Sequence, residues 1–286
     1  MDIQKALHLA DDLAKKQPGC IGPHYTIFEK YDGWYGYFNF ADCIIHTGQR
    51  RPLPSAILLC NKLVESVPSV EGRLIFEILV RDVPEFHVLN GILNRAEPAE
   101  GIYLMVHDFI PTLKLGDQWM SFSNRYKLAH EIVGRINLPQ VELAKPIAFS
   151  QNYHEWQGIA QTVWDRGGEG IICKQTTAQY HAGKRNSTLI KLKKGLDVDL
   201  LCTNLEGGDS GKYTDTLGRL ILVDSKGKEH RISGMSDAER NLWWHNPDLI
   251  VGKVVKCKAM EWLPDGSLRE ASYTCIRHDK SADQID

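Results

Sequence analysis

The stretch GGEGIICKQTTAQYHAGKRNSTLIKLKKG, residues 167–195, sets charged side chains into runs that otherwise read as buried strands. Glu169 and Lys174 bracket the apolar trio Ile171, Ile172 and Cys173. A carboxylate buried without a partner is costly, so Glu169 needs a cation, a metal or a hydrogen-bonding ligand unless its side of the strand is wet. LIKLK adds a second constraint, because the two-residue period of a strand puts Lys191 and Lys193 on one face. Two like charges held side by side repel, and an anion between them relieves the repulsion. Between Gly183 and Gly195 the chain carries Lys184, Arg185, Lys191, Lys193 and Lys194 and no acid. Such a run is either a solvated basic face or a local surface for an anionic partner.

Outward from this stretch, Trp156, Ile159, Ala160 and Val163 fall on one face of a helix predicted over residues 153–166, with Asn152 as its N-cap and Gly167-Gly168 as its stop. SAILLCNKLVES (55–66) reads as a helix, RLIFEILV (73–80) as a strand, residues 86–95 as a short helix and GIYLMVHDFI (101–110) as another strand. This mixture of α and β elements runs to about residue 194. Beyond it come shorter strands, Gly-rich turns (EGGDSGKY, DSKGKE, PDGS) and one helix opened by Ser236, with Glu239 as a capping-box partner, and stopped by Pro247. In VVKCKAME, Val255, Cys257 and Ala259 alternate with Lys256 and Lys258, giving one apolar and one basic face. A barrel of about five strands with one helix is the OB-fold pattern, common in nucleic-acid binders.

The 286 residues exceed the usual size of one domain, and the change of texture divides them at 1–194 and 195–286. With 43% hydrophobic and 24% charged residues the composition is that of a globular protein. A net charge of −2 excludes a uniformly basic surface, so any nucleic-acid binding comes from local patches. Seven cysteines without a C-x-x-C pair fit reduced, intracellular thiols. DIQKALHLADDLAKK after Met1 is amphipathic and charged, with no apolar signal core, and no window reaches the length of a membrane span. The expectation is a soluble cytoplasmic protein with no membrane partner.

One lysine remains unexplained. FEKYDGWYGYF (28–38) places Lys30 among aromatics, just before Asp32-Gly33. Asp-Gly between aromatic β-formers reads as a hairpin turn with an exposed lysine beside it. Glu77 poses a related question, since it sits among aliphatic neighbours in RLIFEILV, either on a wet face or opposite a partner. Lys30, Asp32, Glu77, Glu169, Lys174, Lys191 and Lys193 together suit a nucleotide phosphate plus a divalent metal. A lysine amine near other cations and partly desolvated is freed to act as a nucleophile.

In their order along the chain these segments resemble those of the ATP-dependent DNA ligases, within the covalent nucleotidyltransferases. EKYDG is similar to the family's lysine-x-Asp-Gly motif, FEILV to its acidic strand, YLMVHDF to its adenine-flanking strand, EGIICK to its Glu-Gly-x-x-x-Lys motif and LIKLK to its Lys-x-Lys motif. SGMSDAER, NPDLIVGKVV and LPDGSLREASYTCIRHDK resemble the ligase OB domain, which ends in an Arg-x-Asp-Lys signature at Arg277, Asp279 and Lys280. The resemblance implies an α+β fold: a nucleotidyltransferase (adenylation) domain of antiparallel-rich sheets and helices, then an OB-fold β-barrel. It implies sealing of nicks in double-stranded DNA by a monomer of the minimal two-domain, bacteriophage-like type, serving DNA replication, repair and recombination in a bacterial or phage-infected cell. Lys30 would take AMP from ATP, pass it to the 5′-phosphate of the nick, and the 3′-hydroxyl would then displace it.

By the same resemblance Lys191 and Lys193 neutralise the α-phosphate. Glu169, Glu77 and Asp32 serve Mg²⁺, with Mn²⁺ as a substitute, and Glu77 also meets the ribose. Lys174 supports the phosphate site, Glu29, Tyr35 and His107 contact the nucleotide, and Arg277 and Lys280 close over the pyrophosphate. Arg50, Arg51, Lys184, Arg185, Lys194, Lys256 and Lys258 are the candidate DNA contacts. The chain departs from the pattern at three places. Tyr35 stands where the family carries an arginine, Thr47-Gly48-Gln49-Arg50 replaces Ser-Arg-x-Gly so that its arginine is either missing or shifted to Arg50 or Arg51, and His107 takes the place of the adenine-side aromatic. An RNA ligase, a capping-type nucleotidyltransferase, or a non-catalytic DNA-binding relative are the alternatives. The segment before Lys30 is too short for the extra domain of NAD-dependent ligases.

Overall fold

The computed structural model describes residues 3–9, 24–66, 70–112, 120–209 and 211–286, so most of the amphipathic opening and Cys20 lie outside it. The chain divides into two units, Met1–Lys193 and Lys194–Asp286. In order, the first contains β1 (Lys5–His8), β2 (Tyr25–Glu29), β3 (Trp34–Asn39), β4 (Ile44–Thr47), α1 (Ile57–Ser66), β5 (Gly72–Val80), α2 (Phe86–Leu93), β6 (Ile102–Pro111), α3 (Phe122–Ile136), β7 (Val141–Leu143), β8 (Pro146–Ser150), α4 (Tyr153–Asp165), β9 (Gly170–Gln175) and β10 (Arg185–Lys193). They form two sheets, ordered β1-β10-β9-β2-β8 and β4-β3-β5-β6-β7. The pairings are antiparallel except for β1 with β10 and β6 with β7.

Strand alternation sorts each sheet into a core face and a cavity face. The apolar stripe of α4, with Tyr153, Trp156, Ala160 and Val163, packs in one cluster with Tyr25, Ile27, Ile171, Cys173 and Ile190 of the first sheet. On the second sheet Leu74, Phe76, Ile78 and Leu104 join Leu63 of α1 and Phe122, Ala129 and Ile132 of α3 in the largest cluster. The intervening residues, among them Phe28, Ile172, Lys174 and Lys191 on one sheet and Ile75 and Glu77 on the other, line a cavity between the two.

The Asp32-Gly33 dipeptide does not close a hairpin. β2 pairs with β8 and β9, whereas β3 pairs with β4 and β5, so Lys30 to Gly33 carry the chain from one sheet to the other. Each strand's hydrogen bonds are taken by two other strands, which leaves the pair no edges to share. Gly33 permits the crossing, because a Cβ there would stand 2.6 Å from Ile78 O.

Five elements of this unit have no counterpart in the sequence reading: β1, β4, β7, β8 and α3. β1 lies in the opening segment, and α3 buries Phe122, Arg125, Ala129, Ile132 and Ile136 at helical spacing. Ser121 caps α3 by accepting from the Asn124 N–H, and Asn137 ends it in the left-handed region at φ 47°. An arginine in its apolar stripe hides the amphipathic pattern.

The second unit contains β11 (Leu196–Gly207), β12 (Leu217–Val223), β13 (Glu229–Ile232), α5 (Asp237–His245), β14 (Val254–Ala259), β15 (Glu261–Trp262), β16 (Leu268–Arg269) and β17 (Ser272–Ile276). Its main sheet runs β13-β12-β11-β14-β17. The two outer strands approach at a bridge between Ser233 and Ser272, where the Tyr273 N–H donates to Ser233 O at 2.8 Å. Val198, Leu200, Cys202, Leu220, Val255 and Cys257 form the core with Trp243 of α5. The capping box between Ser236 and Glu239 is complete, as the sequence predicts. The six described cysteines are free thiols, and no helix among the described residues is long and apolar enough to cross a membrane.

Candidate active site

Lys30 follows β2 directly, and its backbone N–H donates to Gly170 O at 2.8 Å, which fixes the lysine against the start of β9. Its ammonium pairs with Oε2 of Glu169, while Lys193 Nζ lies 3.0 Å from Oε1 of the same carboxylate. The Glu169 side chain is 1% exposed, so the carboxylate that looked costly in the sequence carries a cation on each oxygen. Gly170 is what lets β10 come so close: with φ +147°, a Cβ at this position would stand 2.1 Å from Leu192 O. The Trp164 indole N–H donates to Glu169 O at 3.1 Å and holds the turn in place.

Lys30 lies on the cavity wall with Glu29, Tyr35, Glu77, His107, Lys174 and Lys191. The Glu29 carboxylate also pairs with Arg166. Glu77 is half-buried on the cavity face, and its Oε2 is buried without a hydrogen-bond partner. Burial pushes its pKa up to about 7; Lys30 opposes this, and the nearby charges of Glu169 and Asp32 reinforce it. Three predicted carboxylates therefore act on one another around Lys30. Among the described residues no three His, Cys, Asp or Glu side chains form a ready-made metal cage. An orphaned buried oxygen on Glu77 and the nearby Glu169 nonetheless fit a hard divalent cation that takes its remaining oxygens from substrate phosphates and water.

The rear wall is built by a bulge in β6. Ile75 pairs with Asp108 and Phe76 with Val106, so His107 is the extra residue. The strand changes parity there: Leu104 and Val106 face the core before it and Phe109 after it, while His107 and Asp108 both line the cavity. Lys174 bridges the sheets at this point. It donates to His107 O at 3.0 Å, stands 2.9 Å from His107 Nδ1 and 3.7 Å from Asp108 Oδ2, and lies 4.8 Å from the Phe122 ring centroid. Burial lowers the Lys174 pKa to about 8, with Asp108 resisting and Arg125 adding to the fall. Burial and the Lys174 charge hold His107 well below the usual histidine range. With Nδ1 accepting from the ammonium, the neutral ring carries its proton on Nε2. Arg125 grips Asp108 through Nε at 2.9 Å and Nη2 at 3.2 Å, and also donates to Met120 O and Ala178 O.

At the departure from the family pattern, Tyr35 is half-buried beside Tyr180, and burial with that neighbouring phenol raises its pKa. The Tyr35 ring lies 5.8 Å from the His107 ring, and the Gln4 N–H donates to Tyr180 OH at 3.0 Å. Asp108, Arg125, Tyr180 and Gln4 escaped the sequence reading. Asp108 carried the signal that exposed Glu77, a charge inside an apolar strand, but the adjacent His107 drew the attention.

The other predicted residues lie apart. Arg50, in the left-handed region at φ 64°, and Arg51 are exposed beyond β4, and Lys184, Arg185 and Lys194 are exposed around β10. In the second unit Lys258 is exposed and Lys256 pairs with Asp197 at 2.6 Å. Arg277 and Lys280 also belong to that unit, where both contact Asp199.

Residues 95–193 match the model of the ATP dependent DNA ligase domain. No curated protein matches the chain. Among solved structures, a Lig E DNA ligase described as binding DNA with a minimal scaffold is 20% identical, with a TM-score of 0.74 over 97% of this chain and 99% of its own. The ATP-dependent DNA ligase of bacteriophage T7 in complex with ATP is 16% identical, with a TM-score of 0.55 over 96% and 98%. The Chlorella virus DNA ligase–adenylate is 18% identical, with a TM-score of 0.51 over 98% and 99%. The sequence match is to residues 95–193, and the solved structures lead to one conclusion about the whole: this chain has the two-part α+β fold of those ATP-dependent DNA ligases.

Proposed function

We propose that this chain seals nicks in double-stranded DNA with ATP and Mg²⁺, carrying AMP on Lys30 between the nucleotide and the nick. The observation that carries the reading is the Lys30–Glu169–Lys193 ion chain at the wall of a cavity that also presents Lys191, Glu77 and a neutral His107. In the first step Lys30 Nζ attacks the α-phosphorus of ATP, an N–P bond forms, the bond to the bridging oxygen breaks, and pyrophosphate leaves. Glu169 Oε2, already accepting from the ammonium, is at hand for the proton that the amine sheds. In the second step a 5′-phosphate oxygen of the nick displaces Lys30. In the third the 3′-hydroxyl displaces AMP.

All three are in-line phosphoryl transfers, in which positioning and charge stabilisation supply most of the catalysis. Lys191 and Lys193 share a strand face suited to the α-phosphate, and the His107 ring with Phe28 and Ile172 offers an apolar wall for the base. Arg277 and Lys280 meet the pyrophosphate. Glu77 and Glu169, with Asp32 nearby, would hold the divalent ion, which supplies charge neutralisation at the phosphates.

Intact mass spectrometry after incubation with ATP and Mg²⁺, and separately with GTP or NAD, followed by a chase with nicked duplex DNA or nicked RNA, tests the proposal. One AMP is expected on the protein with ATP alone, released as the DNA nick is sealed and absent from Lys30→Ala. An adduct that persists in Lys30→Ala overturns the assignment of the nucleophile. A chain that binds DNA and never carries AMP is a binding protein on a ligase scaffold.

A further inference from the structure

We infer that Asp199 is the positioning residue that governs how readily Arg277 and Lys280 engage the polyphosphate of the nucleotide, an inference that rests on the ligase reading of those two cations. Asp199 lies on β11 and is 6% exposed. Its Oδ2 accepts from Arg277 Nη1 at 2.8 Å and stands 2.7 Å from Lys280 Nζ. The other two Arg277 nitrogens each make a hydrogen bond as well, Nε with Asp279 Oδ1 at 2.8 Å and Nη2 with Asp279 Oδ2 at 2.6 Å. The Asp199 backbone is fixed as well, its N–H donating to Asp286 Oδ2 at 2.7 Å and its carbonyl accepting from the Asp286 N–H at 2.9 Å. Oδ1 of Asp199 is buried without a hydrogen-bond partner.

A carboxylate and a pyrophosphate group offer a guanidinium fork and an ammonium the same kind of anionic oxygen. Each hydrogen bond that Arg277 or Lys280 gives to Asp199 Oδ2 is one withheld from a phosphate oxygen. To reach a phosphate, both must leave one oxygen of a buried carboxylate whose other oxygen already lacks a partner, and stripping a buried charge of its partners is costly. That cost opposes polyphosphate binding and is regained when pyrophosphate departs. Asp199 thus weakens ATP binding in the first step and returns the two cations to the second unit after it, with no part in the joining of 3′-hydroxyl to adenylated 5′-phosphate.

The test is single-turnover lysyl-AMP formation by Asp199→Asn, read against ATP and against added inorganic pyrophosphate. The KM for ATP and the inhibition constant for pyrophosphate are both expected to fall about tenfold, within the usual range of coupling between two sites. Sealing of a nick adenylated beforehand should not change, and Asp199→Glu should restore the wild-type constants. A KM that stays or rises, or an equal change in the sealing step, overturns the inference. In the wild-type protein, whatever the fate of the variant, the Arg277 Nε–H resonance should move as inorganic pyrophosphate is titrated in. A resonance that stays put at saturation overturns it too. Arg277→Ala and Lys280→Ala separate the two levels: if neither alters adenylation, the reading of these cations as polyphosphate ligands has failed, whereas an effect there with none in Asp199→Asn removes only the role of Asp199.

Discussion

Lys174 shows how one side chain can be read in the sequence as chemistry and found in the structure as architecture as well. Its charge sits at the end of an apolar run because its ammonium ties β9 of one sheet to His107 and Asp108 of the other. The arrangement has a pH signature. Folding lowers the Lys174 pKa from its ordinary value near 10.5 to about 8. Between these values the unfolded chain holds a proton that the folded chain has released, so stability rises with pH across the window, and below pH 8 the full cost of burying the charge is present. Lys174→Met removes the titrating group. The thermal midpoint of the wild type, compared with Lys174→Met, should therefore rise between about pH 8 and pH 10.5, by an amount equivalent to roughly 3 kcal/mol at most. Parallel midpoints for the two proteins over that window would remove the buried-charge account of this residue.

At the scale of elements, backbone contact decides what side-chain pattern cannot. Gly170 combines φ +147° with a lack of space: any Cβ meets Leu192 O at 2.1 Å, so Gly170→Ala must push β9 and β10 apart where Glu169 and Lys193 are joined. Gly167 also has a positive φ, +85°, but no atom lies within 4 Å of its Cβ position. Gly167→Ala should cost about 1–2 kcal/mol, the penalty of a left-handed residue. Gly170→Ala adds steric displacement of about 1–3 kcal/mol and should lose lysyl-AMP formation besides. Urea unfolding of the two variants checks the order, and equal losses would contradict it. The same scale explains what the sequence disclosed. Helices α1, α2 and α4 and strands β5, β6 and β9 were legible because their apolar patterns stand clear of their neighbours, and α4 also carries its Asn152 cap. α3 was not, since buried Arg125 interrupts its stripe and only the partner Asp108 makes sense of it. The Asp32-Gly33 turn misled because local turn chemistry is identical whether the flanking strands pair with each other or with others. The bulge at His107 was invisible, because an extra residue in a ladder is defined by the neighbouring strand.

For the whole molecule, a net charge of −2 means that, on the proposed function, DNA would have to be drawn in by separated basic residues against an overall negative field. Each lysine or arginine that neutralises a phosphate releases counterions and adds about 0.9 to the slope of log affinity against log salt on B-form DNA. The candidate DNA contacts differ in what already holds them. Lys256 is paired with Asp197 at 2.6 Å, so phosphate would have to displace an existing anion there, whereas Lys184, Arg185 and Lys258 are exposed. Neutralising Lys184 and Arg185 to glutamine should lower the slope by about 1.8 and weaken nicked and intact duplex by the same factor, because phosphate contacts position the protein without reading the site. Lys256→Gln should change the slope less than Lys258→Gln does. Lys30→Ala should leave the slope as it is while removing the AMP adduct. Titrations of nicked and intact duplex over a range of salt concentrations measure all of these. A slope unaltered by Lys184→Gln with Arg185→Gln would move the DNA contact away from β10, and a loss confined to the nicked duplex would make these residues readers of the break itself.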